Sequence, residues 1–522
     1  MKSNNQSAIR ISILSFLFMM ICGLTASAQN QPDRKSHYLP KTEGQYKATS
    51  SYIEDDPLPE YTWASEKACE DFQDMKFGIR IHWGLYSVIR QEKESWPFLK
   101  KSYEEKQAYF EMYKKWNPAG FNANDWMDLF SESGMKMFAF TSKHHEGFSM
   151  FDTKARVKSR VNYIAPGGPM LESCDLAFSI METPFRRDIV KELCDAAHRH
   201  NIKIDLYFSH PDWYDADFRP YVWHPLQVPS AGKLAVKNNP PEPESGFESK
   251  FGDSKPIMMP DPSPEEVTRM MARHRQQLTE LLTNYGKIDM LCLDMWLGPT
   301  VWPQLRETIL QLRMIQPDVM LRARGIGNYG DYYTPEGFVP GNKGNTPVPW
   351  FVIYPLGRTF SFESDPVQHK GSKWIIKNLI DCAAKGGNFM IGVGPDENGK
   401  FHPTAIEQMK QAGKWLKVNG KSIYATRARD ADLWKEGENV RFTRTKDGKT
   451  IFAHCFEWPG EKLILKTVKP KQGSKIVFLG TLTPVKWKYD PVQGLIIDTP
   501  NELLNKIPGE ELLAFTFKID ND

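Results

Sequence analysis

The sequence predicts an α/β fold, with a parallel sheet or barrel over most of the chain and a small antiparallel β domain after it. Three observations predict this. From Phe77 to about Gly420, short apolar runs alternate with longer stretches of helical period, the signature of repeated βα units. Most of those runs end in or just before polar or charged residues. After Gly420 the texture changes to alternating strands, with Lys446-Asp447-Gly448 as a hairpin turn.

The expected strands of the first region are Phe77–His82, Met135–Thr141, Lys203–Ser209, Lys287–Asp294, Val319–Arg322 and Asn388–Val393. Between them, Arg187–His200 carries Ile189, Val190, Leu193, Cys194 and Ala197 on one helical stripe. Ser263 and Glu266 form a capping box with Pro264 at the first helical position, and apolar residues follow at helical spacing until Gly286. Further helices fit Asn124–Ser133, Trp302–Ile315, Ser372–Ala384 and Pro403–Val418. From Pro211 to Pro264 inclusive there are eleven prolines, incompatible with a long helix or a central strand, so residues 211–264 are expected to hold an extended insertion. In a barrel this segment would follow the third strand onto the active-site face. The C-terminal strands are expected at Asn439–Thr443, Thr450–Phe456, Lys462–Val468, Lys475–Leu479 and Leu512–Ile519. The organisation is thus a leader at 1–28, a barrel at 29–421 and a β domain at 422–522.

The leader reads as Arg10, an apolar run from Ile11 to Leu24, and Ala26-Ser27-Ala28 before Gln29, the pattern of a secretory signal peptide cleaved after Ala28. The expected compartment is the periplasm or the medium. No later run approaches ~18 apolar residues, so no membrane span is expected. Apolar residues make up 40% and charged ones 25%, a globular balance. The formal charge is only +3, and the leader alone supplies Lys2 and Arg10, so nothing favours a nucleic-acid partner. Of the seven cysteines, Cys22 lies in the leader; the others, Cys69, Cys174, Cys194, Cys292, Cys382 and Cys455, are scattered without a CxxC pair. Zinc binding is unsupported, and disulfides are permitted but not demanded.

Several strand ends carry groups an enzyme could use. His82 and Trp83 follow the first strand, Lys143-His144-His145-Glu146-Gly147 the second, Ser209-His210-Pro211-Asp212-Trp213 the third, and Asp294 closes the fourth. In a parallel barrel these ends converge on one face. A histidine at a strand end can equally be a hydrogen-bonded structural residue. His144 and His145 could be metal ligands, but neighbours on a strand point to opposite faces, and no HExxH spacing accompanies them. Asp294 follows the apolar run Met290 to Leu293, where an acid is costly to bury unless it is partnered or functional. Its alternative is a cap on the segment before Trp302. Asp289, at the start of that strand, is expected at the opposite, structural end.

The runs Met75 to Val88, Lys143-His144-His145-Glu146-Gly147-Phe148, Tyr207-Phe208-Ser209, Asp289 to Asp294, Tyr333-Thr334-Pro335-Glu336 and Gly386-Gly387-Asn388-Phe389 resemble, in order, those of the α-L-fucosidases of glycoside hydrolase family 29. The resemblance covers about Phe72 to Arg427. It implies a (β/α)8-like, TIM-type barrel followed by a β-sandwich, with an exo-acting, retaining fucosidase chemistry on fucosylated oligosaccharides or glycoconjugates, and with no metal or cofactor. One carboxylate then attacks the anomeric carbon while a second protonates the leaving oxygen and later activates water. The nucleophile position falls on Asp294. Glu336 is the first choice for the acid/base and Glu363 the second. The resemblance places His82, His144 and His145 on the sugar hydroxyls, Tyr207 near the ring, Arg324 on the acid or sugar, Phe360 on the sugar methyl group and Trp96 at the pocket wall. Imidazoles, a guanidinium and aromatic rings suit a neutral sugar, which offers hydroxyls and an apolar face. Three positions depart from the family pattern: Ser95 before Trp96, Cys292 two residues before Asp294, and Gly392 after the glycine-rich block. These leave open a related α-L-sugar such as L-galactose, or a catalytically silent sugar-binding relative. A metal-dependent hydrolase using His144 and His145 is a further alternative.

Overall fold

In the computed structural model the described residues are 54, 56–219, 224–226, 259–335, 339, 348–509 and 512–521; the expected leader and most of the proline-rich insertion lie outside them. The chain enters through α1 (Glu66–Met75), started by Ser65, whose side chain accepts from the Ala68 N–H. β1 (Phe77–Ile81) follows, then α2 (Tyr103–Glu111), α3 (Ala123–Glu132) and β2 (Met137–Lys143). An antiparallel hairpin of β3 (Val157–Asn162) and β4 (Met170–Leu176) interrupts the alternation. It resumes with α4 (Ile189–His200), β5 (Lys203–Ser209), α5 (Pro264–Thr283), β6 (Met290–Asp294), α6 (Trp302–Ile315), β7 (Met320–Leu321), β8 (Phe351–Pro355), α7 (Ser372–Ala384), β9 (Asn388–Val393) and α8 (Pro403–Asn419). The expected capping box of α5 is present, with Ser263 accepting from the Glu266 N–H and Glu266 accepting from the Ser263 N–H.

The strands pair in parallel in the order β7-β6-β5-β2-β1-β9-β8. Two parallel bridges, Arg322 to Tyr332 and Tyr333 to Trp350, join β7 to β8 through Tyr332–Tyr333. The Tyr333 N–H donates to Pro349 O at 3.0 Å and the Phe351 N–H donates to Tyr333 O at 3.3 Å. With this short eighth stave the sheet curls into the expected (β/α)8-like barrel, and every stave ends on the same face. β1 and β2 approach so closely at Gly78 that a Cβ there would overlap the Met137 side chain and carbonyl, which is why a glycine interrupts this central strand.

The inward positions build the barrel axis in tiers. At the bottom, Met137, Met290, Met320 and Met390 pack with Phe351 and Tyr332, and α1 closes the floor with Cys69, Phe72 and Met75. The next tier holds Arg80, Asp205, Cys292 and Arg322, all buried. Above it come Tyr207 and Asp294. Asp289 lies at the opposite end, as expected, where its carboxylate accepts from Lys203 Nζ at 3.0 Å and from the Ile204 N–H at 3.1 Å.

The C-terminal strands are β10 (Lys435–Glu436), β11 (Val440–Arg444), β12 (Thr450–Cys455), β13 (Lys462–Leu465), β14 (Ile476–Phe478), β15 (Thr483–Val485), β16 (Trp487–Asp490), β17 (Gly494–Asp498) and β18 (Phe515–Asp520). They form antiparallel sheets ordered β10-β11-β12-β18-β14-β15 and β13-β17-β16. Phe442, Ile451 and Phe517 from the first share one core with Leu465, Leu495 and Ile497 from the second, which makes a β-sandwich. The sandwich is tied to the barrel helices where Trp415 Nε1 donates to Ala514 O at 2.8 Å and Arg441 pairs with Asp381 at 2.8 Å. The six cysteines among the described residues are free thiols.

Candidate active site

Asp294 is the last residue of β6, and the curl of the sheet brings it to the centre of the barrel mouth. It caps no helix, since the segments after it begin at Gly298 and Val301. Tyr207, inward on the neighbouring β5, donates its hydroxyl to Asp294 Oδ2 at 2.6 Å. Arg324 and Arg322 reach Oδ1 at 3.0 and 3.3 Å, and His145 Nε2 lies 4.0 Å from Oδ2. Burial alone would raise the carboxyl, but Arg324, Arg322, His145 and the Tyr207 hydroxyl overcome it and hold Asp294 well below the usual carboxylate range. The result is a fixed carboxylate that is still 8% exposed, so a ligand in the mouth can touch it.

The histidines ring this carboxylate. His82, just beyond β1, is buried face to face with Phe360 at 4.9 Å between centroids. Burial, then the nearby Arg80, holds it well below the usual histidine range, so its imidazole is neutral and can donate from one nitrogen and accept at the other. Its Nδ1 is buried without a hydrogen-bond partner among the described residues. His144 is fixed by Ser95 Oγ at 2.6 Å from Nδ1, with Glu146 3.5 Å from the same nitrogen. His145 packs edge-on against Trp96 at 4.7 Å. The expectation that His144 and His145 point to opposite faces is corrected. β2 ends at Lys143, and the Gly147 N–H donates back to His144 O in a turn, so both rings face the pocket with centroids 4.3 Å apart.

This turn rests on a buried ionic base. Asp212 accepts from Arg273 Nη1 at 2.7 Å and from Lys143 Nζ at 3.5 Å, and Gly147, at φ +93°, leaves room for the Asp212 carboxylate. The departures from the family pattern also acquire physical roles. Ser95 anchors His144. Gly392 lies under Phe360, whose ring would overlap any Cβ placed there. Gly392→Ala should therefore displace the ring and raise KM roughly tenfold, with a stability loss of about 1–3 kcal/mol; steady-state kinetics and a melting curve check both.

The two carboxyls named for proton transfer fare differently. Thr334 and Pro335 are buried at the end of the eighth stave, on the Asp294 face, and Glu336 itself lies outside the described residues. Glu363 is clamped by Arg358 at 2.8 and 3.0 Å and accepts from the backbone N–H groups of Arg358 and Asp365. Against the cost of its burial, these bonds pull its carboxyl down to about 2. Arg80 and Arg322 were not among the expected site residues. The signal available was a cation between apolar neighbours in Ile79-Arg80-Ile81, and the spacing of two between Arg322 and Arg324, which favours one common side at a strand end. Among the described residues no group of three or more His, Cys, Asp or Glu is placed to hold a metal ion.

The α-L-fucosidase family profile matches residues 48–421, and the profile of the α-L-fucosidase C-terminal domain matches residues 435–520. The chain is 25% identical over 528 residues to tissue α-L-fucosidase of Rattus norvegicus, covering 96% of each chain. It is 27% identical over 467 residues to plasma α-L-fucosidase of Homo sapiens, covering 84% of this chain and 87% of the relative. Among solved structures, α-L-fucosidase isoenzyme 1 from Paenibacillus thiaminolyticus aligns with a TM-score of 0.67 at 23% identity, over 88% of this chain and 99% of the other. A trapped covalent intermediate of an α-L-fucosidase from Bacteroides thetaiotaomicron aligns with a TM-score of 0.66 at 20% identity, over 89% and 98%. The family profile covers most of the chain, barrel and mouth residues included, so this protein belongs to the α-L-fucosidases of glycoside hydrolase family 29 and is a glycoside hydrolase.

Proposed function

We propose that this glycoside hydrolase is an exported, retaining exo-α-L-fucosidase that removes terminal α-L-fucosyl residues from glycans through a covalent glycosyl-enzyme intermediate. The observation that carries the reading is the Asp294 carboxylate, ionised and fixed at the barrel mouth by Tyr207, Arg322 and Arg324. Asp294 attacks the anomeric carbon from one side of the ring, and Glu336 protonates the departing oxygen, then removes a proton from the water that releases the sugar. Glu363 is a poor proton donor, since a carboxyl held at about 2 is ionised throughout the neutral range. His82, His144 and His145 offer directional bonds to the hydroxyls. The Phe360 ring beside His82 suits a methyl group better than a hydroxymethyl, which favours fucose over L-galactose. The trapped intermediate of the Bacteroides relative supports a covalent route. Export rests on the leader ending in Ala26-Ser27-Ala28.

The test is release of the chromophore from an aryl α-L-fucoside, with proton NMR of the first-formed sugar. The expected product is α-L-fucose, unchanged in rate by a chelator. First-formed β-anomer would show inversion, and fucose binding without release would identify a sugar-binding relative.

A further inference from the structure

Beneath Asp294 the barrel axis holds a tier of charge that the chemistry above does not consume. Arg80 rises from β1, Asp205 from β5, Cys292 from β6 and Arg322 from the residue after β7. Arg80 Nη2 donates to Cys292 Sγ at 3.0 Å and to Asp205 Oδ2 at 3.4 Å. Arg322 Nη1 donates to the same sulfur at 3.2 Å, and it also lies 3.5 Å from Leu293 O and 3.3 Å from Asp294 Oδ1. The Arg80 guanidinium lies 5.1 Å from the centroid of the Tyr207 ring, whose hydroxyl holds the other oxygen of Asp294.

A guanidinium has no neutral form to retreat to, so two of them buried side by side must be met by acceptors. Here the acceptors are graded along the axis, with Asp205 below, the Cys292 sulfur between the two cations and Asp294 above. The strand register produces this column. Tyr207 pairs with Cys292 and Ser209 with Asp294, and residues two apart on a strand share the inner face.

We propose that Arg322 is a positioning residue for Asp294, seated by the Cys292 sulfur and by the Arg80–Asp205 pair, so that two guanidiniums rather than one hold the reacting carboxylate. Arg322 and Arg324 converge on Oδ1 while Tyr207 donates to Oδ2, which fixes the plane of the carboxylate from both ends. Among the described residues, the charged and titratable groups that face Asp294 are Tyr207 and His210 from β5 and the loop after it, His145 from the turn after β2, His82 from the end of β1, and the two arginines. Of these only the arginines are permanently cationic, so they set how far the pH can fall before Asp294 is protonated.

The proposal rests on Asp294 being the nucleophile, and its test is the acid limb of the kcat/KM profile on an aryl α-L-fucoside. In Arg322→Met that limb should move up by about 1 pH unit or more, because a cation within hydrogen-bonding distance has been removed. Arg322→Lys should restore part of the shift. Cys292→Ala should move the limb in the same direction by less, and Cys292→Ser should return it toward the native position; this pair serves if Arg322→Met does not fold. A residue that only packs would lower the rate at every pH and leave the limb in place. A folded Arg322→Met chain, or a folded Cys292→Ala chain if that is the one available, with the native acid limb overturns the proposal. The same midpoint can be read without substrate, as the pH dependence of carbodiimide coupling of glycinamide to the Asp294 peptide, followed by mass spectrometry. A shift there in a protein that cleaves no fucoside would keep this proposal and reject the fucosidase reading; no shift there would reject this proposal alone.

Discussion

Asp294→Asn should lower turnover of an aryl α-L-fucoside by roughly 10⁴-fold or more, the scale seen when a nucleophile is removed while the rest of a site survives. The amide keeps the size of the carboxylate but cannot form the glycosyl ester. It also leaves the Arg322 and Arg324 guanidiniums facing a neutral group in a buried place, so stability should fall as well, by about 3–5 kcal/mol for a broken buried pair. Melting temperature must therefore be measured beside the rate, and kinetics run well below it. In the native protein, a 2-fluoro-fucosyl probe should leave its sugar on the peptide that contains Asp294; an adduct on any other peptide would remove Asp294 from its role.

Glu336→Ala should separate substrates by leaving group. Cleavage of a natural fucosylated oligosaccharide should drop by roughly 10²–10⁴-fold, whereas an activated aryl fucoside, whose leaving group needs no proton, should lose far less in the first step. External azide should restore turnover by replacing the water that Glu336 activates. Glu363→Gln provides the contrast. Breaking the clamp to Arg358 should cost about 2 kcal/mol of stability and slow both substrates alike. The sign of its pH dependence follows from the lowered carboxyl. Glu363 contributes stability above the ordinary glutamate value of 4.5, and that contribution is lost as pH falls toward about 2. If Glu363→Gln instead reproduced the leaving-group split, the two acids would exchange roles.

The barrel was legible because its central strands are short apolar runs bounded by turns and its helices carry clear punctuation. Lys203–Ser209, Asn388–Val393, Trp302–Ile315 and Ser372–Ala384 coincide with their expected limits. β8 was missed because Phe351–Pro355 is short and framed by Pro349 and Pro355, which reads as loop, although a strand can begin and end at proline. The hairpin of β3 and β4 was missed because polar and charged residues interrupt both strands, Lys158-Ser159-Arg160 in one and Glu172 and Asp175 in the other, and leave no continuous apolar run to mark them. α1 and α2 precede and interrupt the first βα repeat, and no expected element stood there. The eighth stave could not be read at all, since two tyrosines leave no periodicity to detect.

Of the site, the residues at strand ends were readable, because strand order alone collects them on one face. Trp96 and Phe360 were reachable only through the family resemblance, because each is carried by a long connection and is brought in by packing on His145 and His82. The turn that points His144 and His145 the same way depends on where β2 stops pairing with β5, a register property spread over two distant segments.

The sulfur-rich floor of the barrel has a consequence for durability. Four thioethers from four different staves lie side by side below the guanidinium tier, and among the described residues Cys69, Phe72 and Met75 of α1 form the stopper at that end. Thioethers bend to fit whatever sits above them, so this floor can absorb a changed side chain in the tier above without the staves being re-spaced. The same softness is a vulnerability. If the stopper frays, peroxide gains a path to the axis, and each sulfoxide would force a polar oxygen into a floor packed from apolar side chains, loosening the enzyme from beneath while its mouth is still intact.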